Sequence, residues 1–240
     1  MQAGYFTDEE NNMSSILTSV KQDSCSKMVV SLIQDDMEKR SREHFSSVFD
    51  PLEITECPRR LIYRSLRHDQ DFPYFDYVNF STQSFVAQKW IDYFDKSKKI
   101  VLKASKYYVS DCKFNIGGLV DAVISVKDEI IVVKIRSVND EDFQKIQKKG
   151  ALKKDVIASI VQLWLMEIED GLLIYENKND QRYEIFHVEQ HKPILESVKQ
   201  KCMSLYKNLA IGQVPCRPYK TKNSKECGLC EFQTSCWKEQ

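Results

Sequence analysis

The cysteines near the C-terminal end constrain most strongly how this chain can fold. Cys227, Cys230 and Cys236 form a C-x2-C-x5-C pattern, and the stretch that contains them, 214–240, is short of hydrophobic residues. Such a stretch cannot build a core of its own, so another part of the chain has to hold it. Two cysteines separated by two residues on a tight turn can direct both sulfur atoms at one ion or cluster. The pattern therefore predicts a metal or cluster site that packs back on the rest of the protein.

Three thiolates leave a four-coordinate site one ligand short, so a distant fourth cysteine is expected. Cys57, in the segment Glu-Cys-Pro-Arg-Arg, is the best candidate, and Cys216 is the rival inside the tail. No histidine occurs in the tail, so the site would be all sulfur, and spacing alone leaves zinc and an iron–sulfur cluster open. A site shared between the two ends would close a loop worth about 4–5 kcal/mol of unfolded-state entropy. The remaining cysteines are predicted to be ordinary buried thiols: Cys25, Cys112 and Cys202.

Composition excludes several classes of protein. The 240 residues are 42% hydrophobic, and 35 Lys+Arg balance 35 Asp+Glu, so any nucleic-acid site has to be a local patch. The N-terminal residues have no apolar signal-peptide core, and the longest apolar runs, such as Ile130–Val133, are too short to span a bilayer. We expect a protein of the cytoplasm, or of a host cytoplasm or virion if the source is viral, that is neither secreted nor membrane-bound.

The order of predicted elements indicates an α/β protein with one central mixed sheet flanked by helices. Two N-terminal helices, a helix that starts after Pro51 with Cys57 near its first turns, and an amphipathic helix precede the strands. Alternating patterns predict strands over 107–110, 114–126 and 129–138, with a tight turn at Lys127-Asp128. One helix over 140–169, closed by Gly171, two further strands and a helix over 190–211 follow. We divide the chain into an N-terminal appendage (1–45), a core (46–213) and the cysteine-rich tail (214–240).

Two segments of the core resemble a known family of nucleases. Gly117–Asp121 ends a strand-like stretch, and Lys134-Ile-Arg136 follows in the next strand. Together they look like the hairpin of PD-(D/E)xK nucleases, the restriction-endonuclease-like fold, in which an Asp and a (Asp/Glu)-x-Lys converge on a divalent metal. Gln162 is similar to the glutamine that this family carries on a helix. The resemblance implies vestigial catalytic positions at Asp121, Lys134, Arg136 and Gln162, and Mg²⁺ or Mn²⁺ at Asp121 only if the protein is active.

The cysteines narrow the resemblance to one branch of that family. A cysteine followed by Arg-Arg, together with a terminal C-x2-C-x5-C, is similar to the RecB-like branch, which holds a [4Fe–4S] cluster through four cysteines. That branch includes the fourth CRISPR-associated family and small phage or viral exonucleases. The resemblance implies the cluster ligands Cys57, Cys227, Cys230 and Cys236, and it covers about 46–240.

The centre of the nuclease motif departs from the family pattern. Lys134 stands where the family has Glu or Asp, and Arg136 stands where it has Lys. A lysine removes a metal ligand and repels the ion, and arginine is essentially never a neutral base. The histidine that the family carries in an upstream helix has no counterpart in 85–90. Asp128 or Glu129 could supply a migrated carboxylate only from the hairpin turn, and the acids at 140–142 are predicted to be helix N-terminal charges.

The changed charges predict a cleft that suits phosphate better than a metal ion. Strand alternation places Lys134 and Arg136 on one face, and Asp121 is expected to pair with one of them. Four further cations are predicted to extend a nucleic-acid patch: Arg59, Arg60, Arg64 and Lys89. Three aromatic residues are candidates for stacking on bases or for core packing: Trp90, Tyr93 and Trp164.

Three functions remain open from the sequence. The first is a catalytically inactive nuclease-fold scaffold with an iron–sulfur cluster, which binds DNA, single-stranded in the first instance, or a protein partner. The second is an active Mg²⁺- or Mn²⁺-dependent exonuclease on single-stranded DNA with a rearranged site, whose activity would be lost in Asp121→Ala. The third is a zinc-stabilised binding module.

Overall fold

A computed structural model describes residues 31–32, 48–66 and 73–238; of 73–81 it describes only the helical backbone. The two predicted N-terminal helices, the boundary at residue 45 and Cys25 lie outside these ranges, apart from 31–32, which are helical.

Five strands form one mixed sheet in the order β1-β2-β3-β4-β5. Their bounds are β1 Val101–Asp111, β2 Ile116–Val126, β3 Glu129–Val138, β4 Asp170–Asn177 and β5 Tyr183–Glu189. Only the β3–β4 pair is parallel. The predicted hairpin is confirmed: Lys127 and Asp128 both have positive φ, 51° and 71°, which matches the twist of a two-residue turn.

The longer helices cover both faces of this sheet, and two short ones lie in the tail. They are α1 Pro58–Ser65, α2 Pro73–Lys96, α3 Asp140–Lys149, α4 Lys153–Met166, α5 Lys192–Ala210, α6 Lys225–Gly228 and α7 Gln233–Lys238. The prediction of a mixed α/β fold with a central sheet flanked by helices is confirmed.

The prediction of one helix over 140–169 was wrong in two respects. The stretch forms two helices, because Gly150 ends α3 with φ 87°. Glu167, in a left-handed conformation, ends α4, so Gly171 is not its cap and lies in β4. Helix α1 begins at Pro58, as suits a proline at the first helical position, and Cys57 is its N-cap residue, which agrees with the prediction that Cys57 lies near the first turns.

The core forms on both sides of the sheet. Helix α2 contributes Val86, Ala87, Ile91 and Phe94, which pack against one face. Helix α4 lies on the opposite face, where Ile160 and Leu163 meet side chains of β2, β3 and β4. Outside α4, helices α1 and α5 form a further cluster through Leu61, Ile62, Val198 and Leu205. This arrangement places α1, which follows Cys57, on the outer side of the α4 layer.

Candidate functional site: a charge-paired cleft and a cysteine centre

The ladder between β2 and β3 splits at the predicted catalytic hairpin. Its last backbone pair is Ala122 with Val133. Beyond that point the Asp121 carboxylate accepts a hydrogen bond from the Ile135 amide, with Oδ2–N 2.9 Å. From α2, the Gln83 side chain donates to the Ile135 carbonyl (2.5 Å) and accepts from the Ser137 amide (2.8 Å). Side chains therefore satisfy strand groups that would otherwise face a missing neighbour.

Asp121 pairs with Lys134 inside this split. Lys134 Nζ lies 3.1 Å from Asp121 Oδ2, and the two side chains are 8% and 10% exposed. Because the pair is nearly buried, neither charge is free unless the other moves away. The expectation that Asp121 pairs with one of the two hairpin cations agrees with this geometry.

Arg136 pairs with a different carboxylate. Its Nε lies 3.1 Å from Oδ1 of Asp155, a fully buried residue in the first turn of α4. Tyr175 donates its hydroxyl to Asp155 Oδ2 at 2.9 Å and accepts the Leu152 amide at 3.0 Å. Burial, and then the Asp155 charge, raise the pKa of the Tyr175 hydroxyl well above its usual range. The hydroxyl therefore stays protonated and serves as a donor to the carboxylate.

Gln162 lies on α4 behind the hairpin. Its Nε2 donates to the Leu119 carbonyl at 2.8 Å, while its buried Oε1 has no hydrogen-bond partner among the described residues. The other proposed sources of a migrated carboxylate lie elsewhere. Glu129 pairs with Val126, five strand residues from Asp121, which is about 16 Å. The acids at 140–142 form the first turn of α3, as predicted.

The cations predicted to form one nucleic-acid patch lie in separate places. Lys89 is on α2, on the sheet face opposite Lys134, and its Nζ lies 2.5 Å from Glu176. Trp90 donates to the other oxygen of Glu176 at 2.7 Å. Trp164 packs edge-to-face on Phe114, whereas Tyr93 is 61% exposed. Nucleic-acid contact by these cations and aromatic residues stays a prediction. Lys89 lies on the opposite face of the sheet from the Lys134–Asp121 and Arg136–Asp155 pairs.

The cysteine tail returns to the start of α1. Cys227 lies in α6, Cys230 follows it, and Cys236 lies in α7. Burial raises the pKa of the Cys230 thiol to about 11, and the nearby Cys57 acts in the same direction. Tyr219 lies within electrostatic range of both Cys57 and Cys227. The structure thus brings residue 57 and the tail cysteines to one region; that they hold a cluster stays a prediction.

Arg59 joins α1 to the tail at a sulfur atom. Its guanidinium is 8% exposed, and Nε donates to Cys236 Sγ at 3.2 Å. The two terminal nitrogens donate to the Pro215 carbonyl at 2.7 Å and to the Tyr63 hydroxyl at 2.5 Å. The rigid fork of donors therefore holds two points of the tail and one of α1.

A second contact holds the tail without any sulfur atom. Glu231, 6% exposed, forms ion pairs with Arg60 and Arg64 of α1. Burial alone would raise the pKa of the Glu231 carboxyl, but the two arginines together hold it below its usual value. The next residue, Phe232, is fully buried with its ring centre 5.8 Å from that of Tyr63. Arg60 and Arg64 therefore act here as tail contacts. Arg60 also pairs with Glu56, and Arg64 also pairs with Glu53.

The other described cysteines divide into two kinds. Cys202 is buried, as predicted, and burial raises its pKa to about 12. The prediction that Cys112 is buried was wrong: it is exposed in the turn between β1 and β2, where no core residue covers it. Cys216, the rival ligand, is also exposed.

Among the described residues, one group of His, Cys, Asp or Glu side chains has three ligand atoms within 4.8 Å of one another. It consists of Asp170, His187 and Glu189, all exposed on β4 and β5. His187 Nε2 lies 2.8 Å from Asp170 Oδ1. No sequence pattern indicates this group, because cross-strand register alone brings its members together.

Several side chains at these sites were not foreseen from the sequence. Asp155 looks like an ordinary first-turn acid of α4, and its burial follows only from the packing of that turn on Tyr175. Gln83 and Glu176 carry no motif. Glu231 had one usable signal. It lies between Cys230 and Phe232, and a charged residue in such a setting is a candidate for a paired, buried position.

Comparison with solved structures finds proteins of similar fold. No protein-family model matches the sequence, and no curated protein matches it. A solved structure of an alkaline exonuclease, LHK-Exo from Laribacter hongkongensis, is similar with a TM-score of 0.54 and 9% identity over 72% of this chain and 93% of that one. The same exonuclease in complex with dAMP gives 0.50 and 9% over 69% and 89%. A protein designated SSO0001 gives 0.49 and 16% over 89% and 98%.

The two LHK-Exo structures define the class of fold. The chain has a mixed α/β fold similar to that of this alkaline exonuclease, with the five-stranded sheet described above. Within the described residues, none of the helices is both long and apolar enough to cross a membrane.

Proposed function

We propose that this chain is a nuclease-fold protein without metal-dependent cleavage, that it holds an iron–sulfur cluster, and that it serves as a DNA-binding or partner-binding scaffold. The observation that carries the first part is the Lys134 ammonium, 3.1 Å from the Asp121 carboxylate. In the motif that the hairpin resembles, that carboxylate faces a divalent ion. Here a fixed cation of the chain already compensates its charge.

The remaining hairpin charges support the same conclusion. Phosphodiester hydrolysis of this type needs carboxylates that hold a metal and a group that helps to activate water. Arg136 cannot give up a proton to act as a base, and it is held by Asp155. Asp121 and Asp155 are therefore both committed to cations of the chain.

Three cations face the thiols of the cysteine centre and would balance the negative charge of a thiolate-bound cluster: Arg59 near Cys236, Arg60 near Cys230 and Lys201 near Cys57.

In this proposal the residues of the chain give the cluster a structural role. Cys57 precedes α1 and the other three ligands lie in the tail, so a bound cluster would join the two ends covalently. Arg59, Glu231 and Phe232 align the tail on α1 for this purpose. The exonuclease neighbours, one of them in complex with dAMP, favour nucleic acid among the partners.

Two measurements on anaerobically purified protein test the proposal. Metal and sulfide analysis should find iron and acid-labile sulfide with a brown absorption band, and one zinc per chain without iron would favour the zinc module instead. End-labelled single-stranded DNA with Mg²⁺ or Mn²⁺ should stay intact. Degradation that Asp121→Ala abolishes would overturn the inactive assignment and establish an exonuclease with a rearranged site.

A further inference from the structure

Four exposed lysines flank the turn between α3 and α4. Lys148 and Lys149 end α3, and Lys153 and Lys154 begin α4. The three intervening residues can separate the pairs by no more than about 14 Å. We call these four residues the lysine patch. They form no ion pair with any described residue, whereas four other cations do: Lys134, Arg136, Arg60 and Arg64.

The acids nearest to the lysine patch do not neutralise it. No Asp or Glu occurs from residue 143 to residue 154. Glu56 is within electrostatic range of Lys154 but is paired with Arg60. Glu184 accepts a hydrogen bond from Gln147, and Asp155 belongs to Arg136. In a chain with zero net charge, the patch is a local excess of positive charge.

Helix stability explains half of the lysine patch and opposes the other half. Lys148 and Lys149 lie at the C-terminal end of α3, where positive charge is favourable. Lys153 and Lys154 lie at the N-terminal end of α4, where positive charge is unfavourable. The N-cap residue, Leu152, makes no side-chain capping bond there. Residues that break a local rule without a compensating contact mark candidate functional positions.

The lysine patch is accessible and borders the charge-paired cleft. Asp155, which follows Lys154 directly, is the buried partner of Arg136. At the turn itself, a Cβ added to Gly150 would meet no atom within 4 Å, so the surface there is open. None of the large exposed hydrophobic residues lies between 140 and 168. A protein partner usually needs apolar anchors, whereas a phosphate backbone needs only charge.

We propose that the lysine patch binds the phosphate backbone of single-stranded DNA. This inference rests on the nucleic-acid arm of the proposed function. Each lysine that neutralises a phosphate of single-stranded DNA contributes about 0.7 to the salt dependence of binding. Four such contacts would contribute a slope of about 3 in a plot of log K against log salt concentration.

The chain offers a matched control with the same number of lysines. Lys98, Lys99, Lys103 and Lys106 are also exposed, and they lie around the start of β1. Lysines on an edge strand such as β1 have a simpler role, because they discourage pairing with other strands. A variant with these four changed to glutamine alters the net charge by the same amount as one with the lysine patch changed.

The experiment measures binding of fluorescein-labelled oligothymidylate by anisotropy over a series of NaCl concentrations. The variant Lys148→Gln/Lys149→Gln/Lys153→Gln/Lys154→Gln should bind at least about tenfold more weakly at low salt, with the slope reduced by about 3. The control variant should bind within about twofold of the wild type. Thermal melting of the patch variant should be unchanged, since the loss of two favourable helix charges offsets the loss of two unfavourable ones.

Four results would overturn the inference. Equal loss of binding in both variants would mean that net charge alone governs binding. Binding of the patch variant equal to that of the wild type would place the DNA elsewhere and leave the proposed function intact. Absence of binding by the wild type, or displacement of DNA by polyglutamate at equal charge, would favour an acidic protein partner. Iron content and DNA cleavage are unaffected by these outcomes, so failure here is distinct from failure of the proposed function.

Discussion

The charge-paired cleft and the cysteine centre both depend on residues far apart in the sequence, but they differ in what they still lack. In the cleft, Lys134 meets Asp121 and Arg136 meets Asp155, so each buried charge has its partner within the chain. At the cysteine centre, the described thiols form no disulfide, and Arg59 supplies a donor to one sulfur atom. The difference teaches that the charges of the cleft compensate one another without a ligand. The cysteine centre, in contrast, gathers side chains of a type that binds an inorganic group.

The first prediction tests whether the cysteine centre needs its four named ligands. Cys57→Ser should lose the iron almost completely, because removal of one of four thiolates exposes the cluster to water and oxygen. Iron and sulfide analysis measures the loss. Cys216→Ser is the control and should keep full iron content, since Cys216 is the exposed rival of Cys57. Iron retained in Cys57→Ser but lost in Cys216→Ser would exchange their roles.

The second prediction tests whether the cleft is complete in itself. Lys134→Met should lower the free energy of unfolding by about 3 kcal/mol, because it leaves the Asp121 carboxylate buried without its cation. Urea denaturation measures the change. The double variant Asp121→Asn/Lys134→Met should cost clearly less than the sum of the single variants.

A matched substitution at an exposed pair checks that the effect comes from burial. Lys145→Met breaks ion pairs with Glu141 and Asp142, at a side chain that is 50% exposed, and should cost less than about 1 kcal/mol. Equal costs for Lys134→Met and Lys145→Met would show that the cleft pair contributes no more than a surface pair.

The third prediction concerns the contact that holds the tail without sulfur. Glu231→Gln should destabilise the protein by about 2 kcal/mol, less than a fully isolated buried charge, because Arg60 and Arg64 keep Glu56 and Glu53. Limited proteolysis after removal of the cluster should cut the tail of this variant faster than that of the wild type. The wild-type tail should stay protected, and immediate cleavage there would show that the cluster alone holds it.

The fourth prediction has the smallest effect and concerns the hydrogen bond to sulfur. Arg59→Gln should release iron to a chelator several-fold faster than the wild type, since the donor to Cys236 is lost. Arg59→Lys should lie between the two, because it keeps the charge but not the fork of donors. Arg64→Gln is the control, as Arg64 holds the same tail through Glu231. Equal release from Arg59→Gln and Arg64→Gln would assign the effect to tail docking.

The sequence alone determined the elements whose cause is local. Alternating hydrophobic residues gave β3 its bounds, and the Lys127-Asp128 pair gave the hairpin, because strand periodicity and turn chemistry act over a few residues. The spacing of the tail cysteines likewise indicated a shared site before any contact was known. The helix break at Gly150 was also local, yet the long apolar pattern from residue 157 onwards hid it.

The tertiary structure alone decided which charges meet. Arg60, Arg64 and Lys89 read as solvent-facing or nucleic-acid cations, but each meets a carboxylate more than eighty residues away. Asp155 carries no motif in the sequence, yet it is the buried partner of Arg136. A charge in sequence carries no record of its distant neighbours, because burial and pairing arise only when separate elements pack. For the same reason, only the packed structure shows that none of the described carboxylates forms an ion pair with the lysine patch.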